Sequence, residues 1–113
     1  MLFRSRVLKG KIFDVIVDMD AKSKNFGKYF SCILSKKNKK MLFVPKLFAH
    51  GYLSLEKNTE VEYITTNYYS KKNEKCLIWN DEHVNIKWPD IKFIISKKDL
   101  NGKQFNNIFN KKK

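Results

Sequence analysis

The sequence predicts an all-β fold, a sandwich or barrel of short strands with a short helix near the C-terminal end. Three observations predict it. Apolar residues come in short runs rich in Val, Ile, Phe and Tyr, too short for helices of ordinary length. Several runs alternate apolar with small or polar residues, the period of a half-buried strand. Clusters of Lys, Asn, Ser and Gly separate the runs at fairly even spacing, as turns separate the strands of a sandwich or barrel.

The elements follow in order. Ile12-Phe13-Asp14-Val15-Ile16-Val17 is β-branched and reads as a strand. Tyr29 to Leu34 is a second run, after the turn signal of Gly27. Met41 to Val44 is a third, closed by Pro45, which has no N–H to give to a ladder. Gly51 to Leu55 alternates apolar and small residues, and Val61 to Tyr69 alternates again with Thr and Tyr throughout. On that strand Tyr63 and Tyr69 share a face and Tyr68 takes the other. Leu77-Ile78-Trp79 is a last short strand before Asn80-Asp81. In the tail, Ser96 is placed to cap a helix with Asp99 at its third position, a variant of the capping box. Leu100, Phe105, Ile108 and Phe109 would line one face of that helix, which Gly102 weakens by about 1 kcal/mol relative to Ala.

At 113 residues the chain has room for one core, so residues 1–113 are read as a single domain. With 42% hydrophobic and 14% aromatic residues it has enough apolar matter to fold. No run approaches the roughly 20 apolar residues of a membrane helix. Met1 to Arg6 carries neither the apolar stretch nor the cleavage site of a signal peptide, so the expected location is cytoplasmic. Cys32 and Cys76 lie far apart and outside any CxxC pattern, and are expected to be thiols. The net charge of +13 attracts polyanions in general. Its lysines, however, sit in Asn-rich turns and are not interleaved with aromatics on one strand, as a nucleic-acid module would show. No specific nucleic-acid partner and no membrane partner are expected.

Pattern alone offers few reactive groups. His50 and His83 have no partner at metal-ligand spacing, so no metal site is expected. There is no Gly-rich phosphate loop and no nucleophile elbow. His50 stands between small residues with aromatics close by, in Phe48-Ala49-His50-Gly51-Tyr52. The pattern leaves open whether it is a hydrogen-bonded core histidine or part of a site.

Several segments together match the motifs of one known family. Gly10-Lys11-Ile12-Phe13-Asp14-Val15-Ile16-Val17-Asp18 is similar to its strand G-x-(V/I)-F-D-V-x-V-D, and Phe26-Gly27-Lys28 to its F-G-x-W turn. Asn38 to Pro45, followed by Phe48 to Tyr52, resembles N-x-x-x-L-(W/F)-(I/V)-P-x-G-F-A-H-G-F. Glu62 to Ser70 is similar to the Y-K-x-T-x-Y-Y strand. Ile78-Trp79-Asn80-Asp81, Ile86-Lys87-Trp88-Pro89 and Ser96-Lys97-Lys98-Asp99 resemble W-(N/D)-D, I-x-W-P and S-x-K-D. Order and most spacings agree from about Arg6 to Asp99, so the chain resembles the dTDP-4-dehydrorhamnose 3,5-epimerase family.

The resemblance implies a cupin-like jelly-roll β-barrel, represented here by its C-terminal part, and a homodimer. It implies a dTDP-4-keto-6-deoxyhexose as substrate, in dTDP-L-rhamnose and surface-polysaccharide synthesis, with no cofactor. Protons on C3 and C5 are acidic because both carbons adjoin the C4 ketone. A base removes each from one face and an acid returns one from the other. By resemblance Tyr63 is the proton donor and Asp99 the carboxylate that orients the catalytic histidine. His50 contacts the sugar, Tyr69 stacks on thymine, and Glu74 and Lys98 contact the nucleotide, Lys98 through a phosphate.

The departures are specific. The family's base is the histidine of L-R-G-L-H-x-Q, which precedes K-L-V-R; these 113 residues contain no such motif. Phe3 falls where the K of K-L-V-R is expected, and Leu47 replaces a glycine. Three classes therefore remain: an epimerase by descent, a shortened cupin that binds a nucleotide sugar without turnover or uses it in another isomerisation, and a basic binding module. The resemblance also predicts an unpaired strand edge near Ile12 to Val17 or Val61 to Tyr69, open to association with other chains.

Overall fold

The computed structural model describes residues 3–65 and 76–105. Among the described residues six strands form in order, β1 (Phe3–Lys9), β2 (Lys11–Asp18), β3 (Tyr29–Ser35), β4 (Met41–Val44), β5 (Phe48–Ser54) and β6 (Glu60–Thr65), followed by a helical turn, α1 (Lys97–Leu100). The strands make two three-stranded antiparallel sheets, ordered β4-β1-β6 and β3-β2-β5. Of the consecutive strands only β2 and β3 share a sheet; the chain crosses between sheets at β1/β2, β3/β4, β4/β5 and β5/β6, as in a jelly roll.

Contacts divide the chain into two compact units, Met1–Tyr68 and Tyr69–Lys113. The first holds both sheets. Its core is one apolar cluster of Val7, Ile12, Ile16, Leu34, Leu42 and Val44, drawn from β1 to β4. The pleat explains this set. In β4, Leu42 and Val44 are buried while Met41 and Phe43 are exposed. In β2 the inward residues are Ile12, Asp14 and Ile16, and the reverse-face residues Val15 and Val17 are buried as well. Burial on both faces marks a central strand, and β2 pairs with β3 along one side and β5 along the other. Of the two alternatives for an open edge, Ile12 to Val17 is overturned, since both sets of its backbone groups are taken. Val61 to Thr65 of β6, by contrast, lies at a sheet edge, paired among the described residues with β1 alone; residues 66–69 of that expectation lie outside the described residues. Pattern reading also passed over β1, whose alternation is diluted by Ser5 on the inner face and Arg4 and Arg6 on the outer.

Side chains build the turns. The Asp18 carboxylate accepts from the Asp20 N–H (2.9 Å) and the Ser23 hydroxyl (2.5 Å), folding the β2–β3 connection back toward Gly27. Asn38 does the same for β3–β4: its Oδ1 accepts from the N–H groups of Ser35 (3.1 Å) and Lys40 (3.0 Å). Gly10, between β1 and β2, has φ +87°, and a side chain there would collide with Thr59.

The second unit is described from Cys76 to Phe105. It has little regular structure. Leu77 forms only an isolated parallel bridge with Lys103, not the expected strand. Ser96 caps α1, its hydroxyl accepting from the Asp99 N–H at 3.2 Å, as expected. The helix stops at Leu100, however. From Asn101 the backbone turns away and Lys103 bonds to Cys76 and Ile78, so the expected continuous helix through Phe105 is not formed. Gly102 packs within van der Waals limits of the Ile78 backbone, where a side chain would not fit. The expectations at Ile108 and Phe109 lie outside the described residues.

Candidate active site

Four of the six described strands place polar side chains on their inner faces beside the apolar core: Ser5 and Asp14 are buried, whereas Tyr52 and Tyr63 remain 42% and 46% exposed. Directly opposed residues in an antiparallel pair point to the same face. Asp14 of β2 lies opposite Tyr52 of β5, and Ile16 opposite His50, so these side chains share the face of Ile12. In the other sheet Ser5 of β1 lies opposite Tyr63 of β6, on the face of Val7. Ser5, Asp14, His50, Tyr52 and Tyr63 are thereby gathered in one place.

Asp14 is the centre. Its side chain is fully buried, and a buried carboxylate is costly unless paired and hydrogen-bonded. It has both. Oδ2 accepts from the Ser5 hydroxyl at 2.9 Å, and Oδ1 is 2.5 Å from Nε2 of His50, whose side chain is 10% exposed. Because the carboxylate accepts from both partners, Nε2 carries a ring proton and the orientation of the imidazole is set.

The tyrosines close the other side. The Tyr63 ring meets the His50 ring edge-on, centroids 6.0 Å apart and planes at 88°. Tyr52 lies 6.4 Å from each of these rings. Burial pushes the Tyr63 phenol well above the ordinary tyrosine value; a hydrogen bond with Tyr52, the charge on Tyr52 and the charge on Asp14 push the same way. Such a phenol keeps its proton at neutral pH, so it can donate one to a carbanion and does not act as a base. Nearby Cys32 is also pushed upward, by burial and then by the Asp14 charge, against a smaller opposing effect of Lys40; it is a poor nucleophile.

The structure thus brings together two of the residues expected at the site, His50 and Tyr63. Lys98 and Asp99 belong to the second unit. Asp99 is exposed on α1, where its Oδ1 lies 3.7 Å from the Cys76 sulfur. The side chain of Lys98, and all of Tyr69 and Glu74, lie outside the described residues. Sequence reasoning assigned no role to Ser5, Asp14 or Tyr52. A signal for Asp14 was present: a carboxylate at the inward position between Ile12 and Ile16 must be buried, and so must have partners. Ser5 carried no comparable signal, because β1 itself was not recognised. Among the described residues no three His, Cys, Asp or Glu side chains could together hold a metal ion. Nor is any described helix long and apolar enough to cross a membrane.

A jelly roll of two antiparallel sheets that carries an acid–imidazole–phenol cluster defines a cupin-like fold. Residues 4–107 match the family model described as dTDP-4-dehydrorhamnose 3,5-epimerase. The chain belongs to that family. It is 42% identical over 100 residues to the dTDP-4-dehydrorhamnose 3,5-epimerase of Shigella flexneri, a match covering 88% of this chain and 55% of the relative. The Escherichia coli (strain K12) enzyme of the same name is 44% identical over 95 residues, covering 83% and 51%. Among solved structures, the Legionella pneumophila dTDP-6-deoxy-D-glucose-3,5-epimerase, in complex with dTDP-4-keto-L-rhamnose, superposes with a TM-score of 0.91 at 35% identity. That match covers 95% of this chain and 57% of the Legionella chain. The Bacillus anthracis epimerase, with TDP and PPi bound, gives 0.88 at 38% identity, covering 91% and 59%. The chain spans about half the length of the curated relatives it matches.

Proposed function

We propose that this chain supplies the proton-donating half of a sugar-nucleotide 3,5-epimerase, binding a dTDP-4-keto-6-deoxyhexose in the barrel interior. The observation that supports it is the meeting of His50, oriented by Asp14, with a protonated Tyr63 in a chain of this family. In this reading Tyr63 returns a proton to C3 or C5 of an enolate formed beside the C4 ketone, and His50 holds the sugar. Tyr69 stacks on the thymine, Glu74 and Lys98 contact the nucleotide, and Asp99 supports a catalytic histidine. The protein acts as a cytoplasmic homodimer.

None of the 113 residues matches the family's base histidine. The exposed lysines are no substitute, since an ordinary lysine stays protonated near neutrality. Loss of a general base costs roughly 10²–10⁴-fold in rate. The chain is therefore expected to bind dTDP-4-keto-6-deoxyhexose yet exchange its C3 and C5 protons far more slowly than a complete enzyme. Incubation in D₂O with mass spectrometry measures the exchange, and calorimetry against dTDP, UDP and ATP measures the binding. Two deuterons incorporated at an enzyme-like rate would refute the missing base. Equal affinity for the three nucleotides would refute the site. The same absence favours a second reading, a nucleotide-sugar-binding cupin without turnover, which predicts binding and no exchange at any protein concentration.

A further inference from the structure

Ser5 is an odd residue for its place. It is 1% exposed, on the inner face of a strand, two positions from the core residue Val7. A buried hydroxyl at such a position loses its hydration and contributes little packing, so it is tolerated only with a partner. Its partner is not a neighbour in its own sheet. Ser5 stands in the β4-β1-β6 sheet and Asp14 in the β3-β2-β5 sheet, so their 2.9 Å hydrogen bond crosses the interior from one sheet to the other.

The bond joins two cross-strand pairs. Ser5 is directly opposite Tyr63, and Asp14 directly opposite Tyr52. Asp14 in turn holds His50. The Ser5 hydroxyl is thus a direct hydrogen-bonded tie from the first sheet to the Asp14 carboxylate that holds His50, beside the ring contacts of Tyr63 with His50 and Tyr52. Without it, Asp14 would keep one oxygen on His50 and leave the other buried with its partner gone, free to rotate.

We propose that Ser5 is a positioning residue: by fixing the Asp14 carboxylate across the barrel it locks the imidazole of His50 in one orientation and sets the distance from His50 to Tyr63. It touches no reacting atom in this scheme and acts through Asp14. Its consequence for ligand binding rests on the reading of the previous subsection, whereas its effect on His50 does not.

The experiment uses the full chain with three substitutions. Ser5→Ala removes the hydroxyl. Ser5→Cys keeps the volume with only a weak donor and carries the test if the alanine variant does not fold. Ser5→Thr restores the hydroxyl. The ring ¹⁵N and Nε2–H signals of His50 are recorded by NMR, and affinities for dTDP and a dTDP-4-keto-6-deoxyhexose by calorimetry. In the parent chain the Nε2 proton is expected to be protected from exchange and the ring to show one tautomer. In the alanine and cysteine variants protection falls and the ring nitrogens average, while threonine restores both. Affinity for the sugar nucleotide falls roughly tenfold, the size of one positioned hydrogen bond, and affinity for dTDP alone does not change. Unchanged His50 signals in the alanine and cysteine variants would overturn the proposal. So would equal disturbance in the threonine variant, since the hydroxyl would then be irrelevant. If the His50 signals respond as expected but the parent chain binds no sugar nucleotide, Ser5 keeps its role and the functional reading fails.

Discussion

The two units of the molecule are held together in different ways. In residues 3–65 the backbone is paired strand to strand, and an apolar cluster drawn from four strands fills the space between sheets. Many equivalent contacts share the load. In residues 76–105 almost nothing repeats, and single side chains organise the backbone. Asp81, 6% exposed, accepts from the Val84 N–H (3.0 Å) with one oxygen and from the Phe105 N–H (2.6 Å) with the other. The indole of Trp88 donates to the Trp79 carbonyl at 2.8 Å, and Trp79 meets Phe93 edge-on at 5.6 Å. A periodic fold is stabilised by burial, which is graded. An irregular one depends on particular hydrogen bonds, which are present or absent.

The sharpest way to break this comparison is to damage each region once. Ile12 is fully buried at the middle of the sheet core. Ile12→Ala should cost about 2–5 kcal/mol through lost burial and the cavity left behind, read as a lower urea midpoint with little change in slope. Protection of the β2 amides against hydrogen exchange should fall with it. If the cost is below about 1 kcal/mol, the sheets are not packed as described.

Asp81→Asn is the counterpart. The amide oxygen can accept, but its NH₂ group cannot, so one of the two backbone N–H groups is left buried without its acceptor. The expected cost is about 1.5–3 kcal/mol. It should appear as lost protection at Val84 and Phe105 while β2 amides stay protected. Equal loss in both regions would mean that they unfold as one cooperative block and that the contrast is structural only.

The same contrast explains what could be read from sequence. Strands β2 to β6 were legible because alternation and turn residues mark them: Pro45 ends one, and Gly27 precedes another. The β1 strand was not, since Arg4 and Arg6 break the apolar pattern and Ser5 hides an inward position. Trp79 and Trp88 were legible only as motifs, because nothing in their spacing says that one donates to the other's backbone. At the site, His50 and Tyr63 came from the family resemblance and were brought together by the fold. Asp14 was signalled by its inward position between Ile12 and Ile16, but its meeting with Tyr52 and His50 needed the register that pairs β2 with β5.

The smallest expected effect at neutral pH separates Tyr63 from the other tyrosines. Its phenol is held above its ordinary value in the folded chain, first by burial and then by Tyr52 and Asp14. In the unfolded chain it ionises at about pH 10. Below that pH both states hold the proton and the group makes stability no more dependent on pH. Above it the unfolded state has lost a proton that the folded state retains. The unfolded state then binds fewer protons, so stability must fall as pH rises from about 10 toward the folded value. Tyr63→Phe removes this titration. Its urea midpoint should match the parent closely near pH 7, apart from the lost hydrogen bond to Tyr52, and should decline less steeply above pH 10. Tyr52→Phe should fall between, since burial and Asp14 still act on Tyr63 while the Tyr52 contributions are gone. Paired urea titrations at pH 7 and at pH 10 to 11 make the measurement. If the parent and Tyr63→Phe lose stability in parallel, Tyr63 titrates like an ordinary tyrosine, and its assignment as a partly buried phenol that holds its proton beside Tyr52 and Asp14 is wrong.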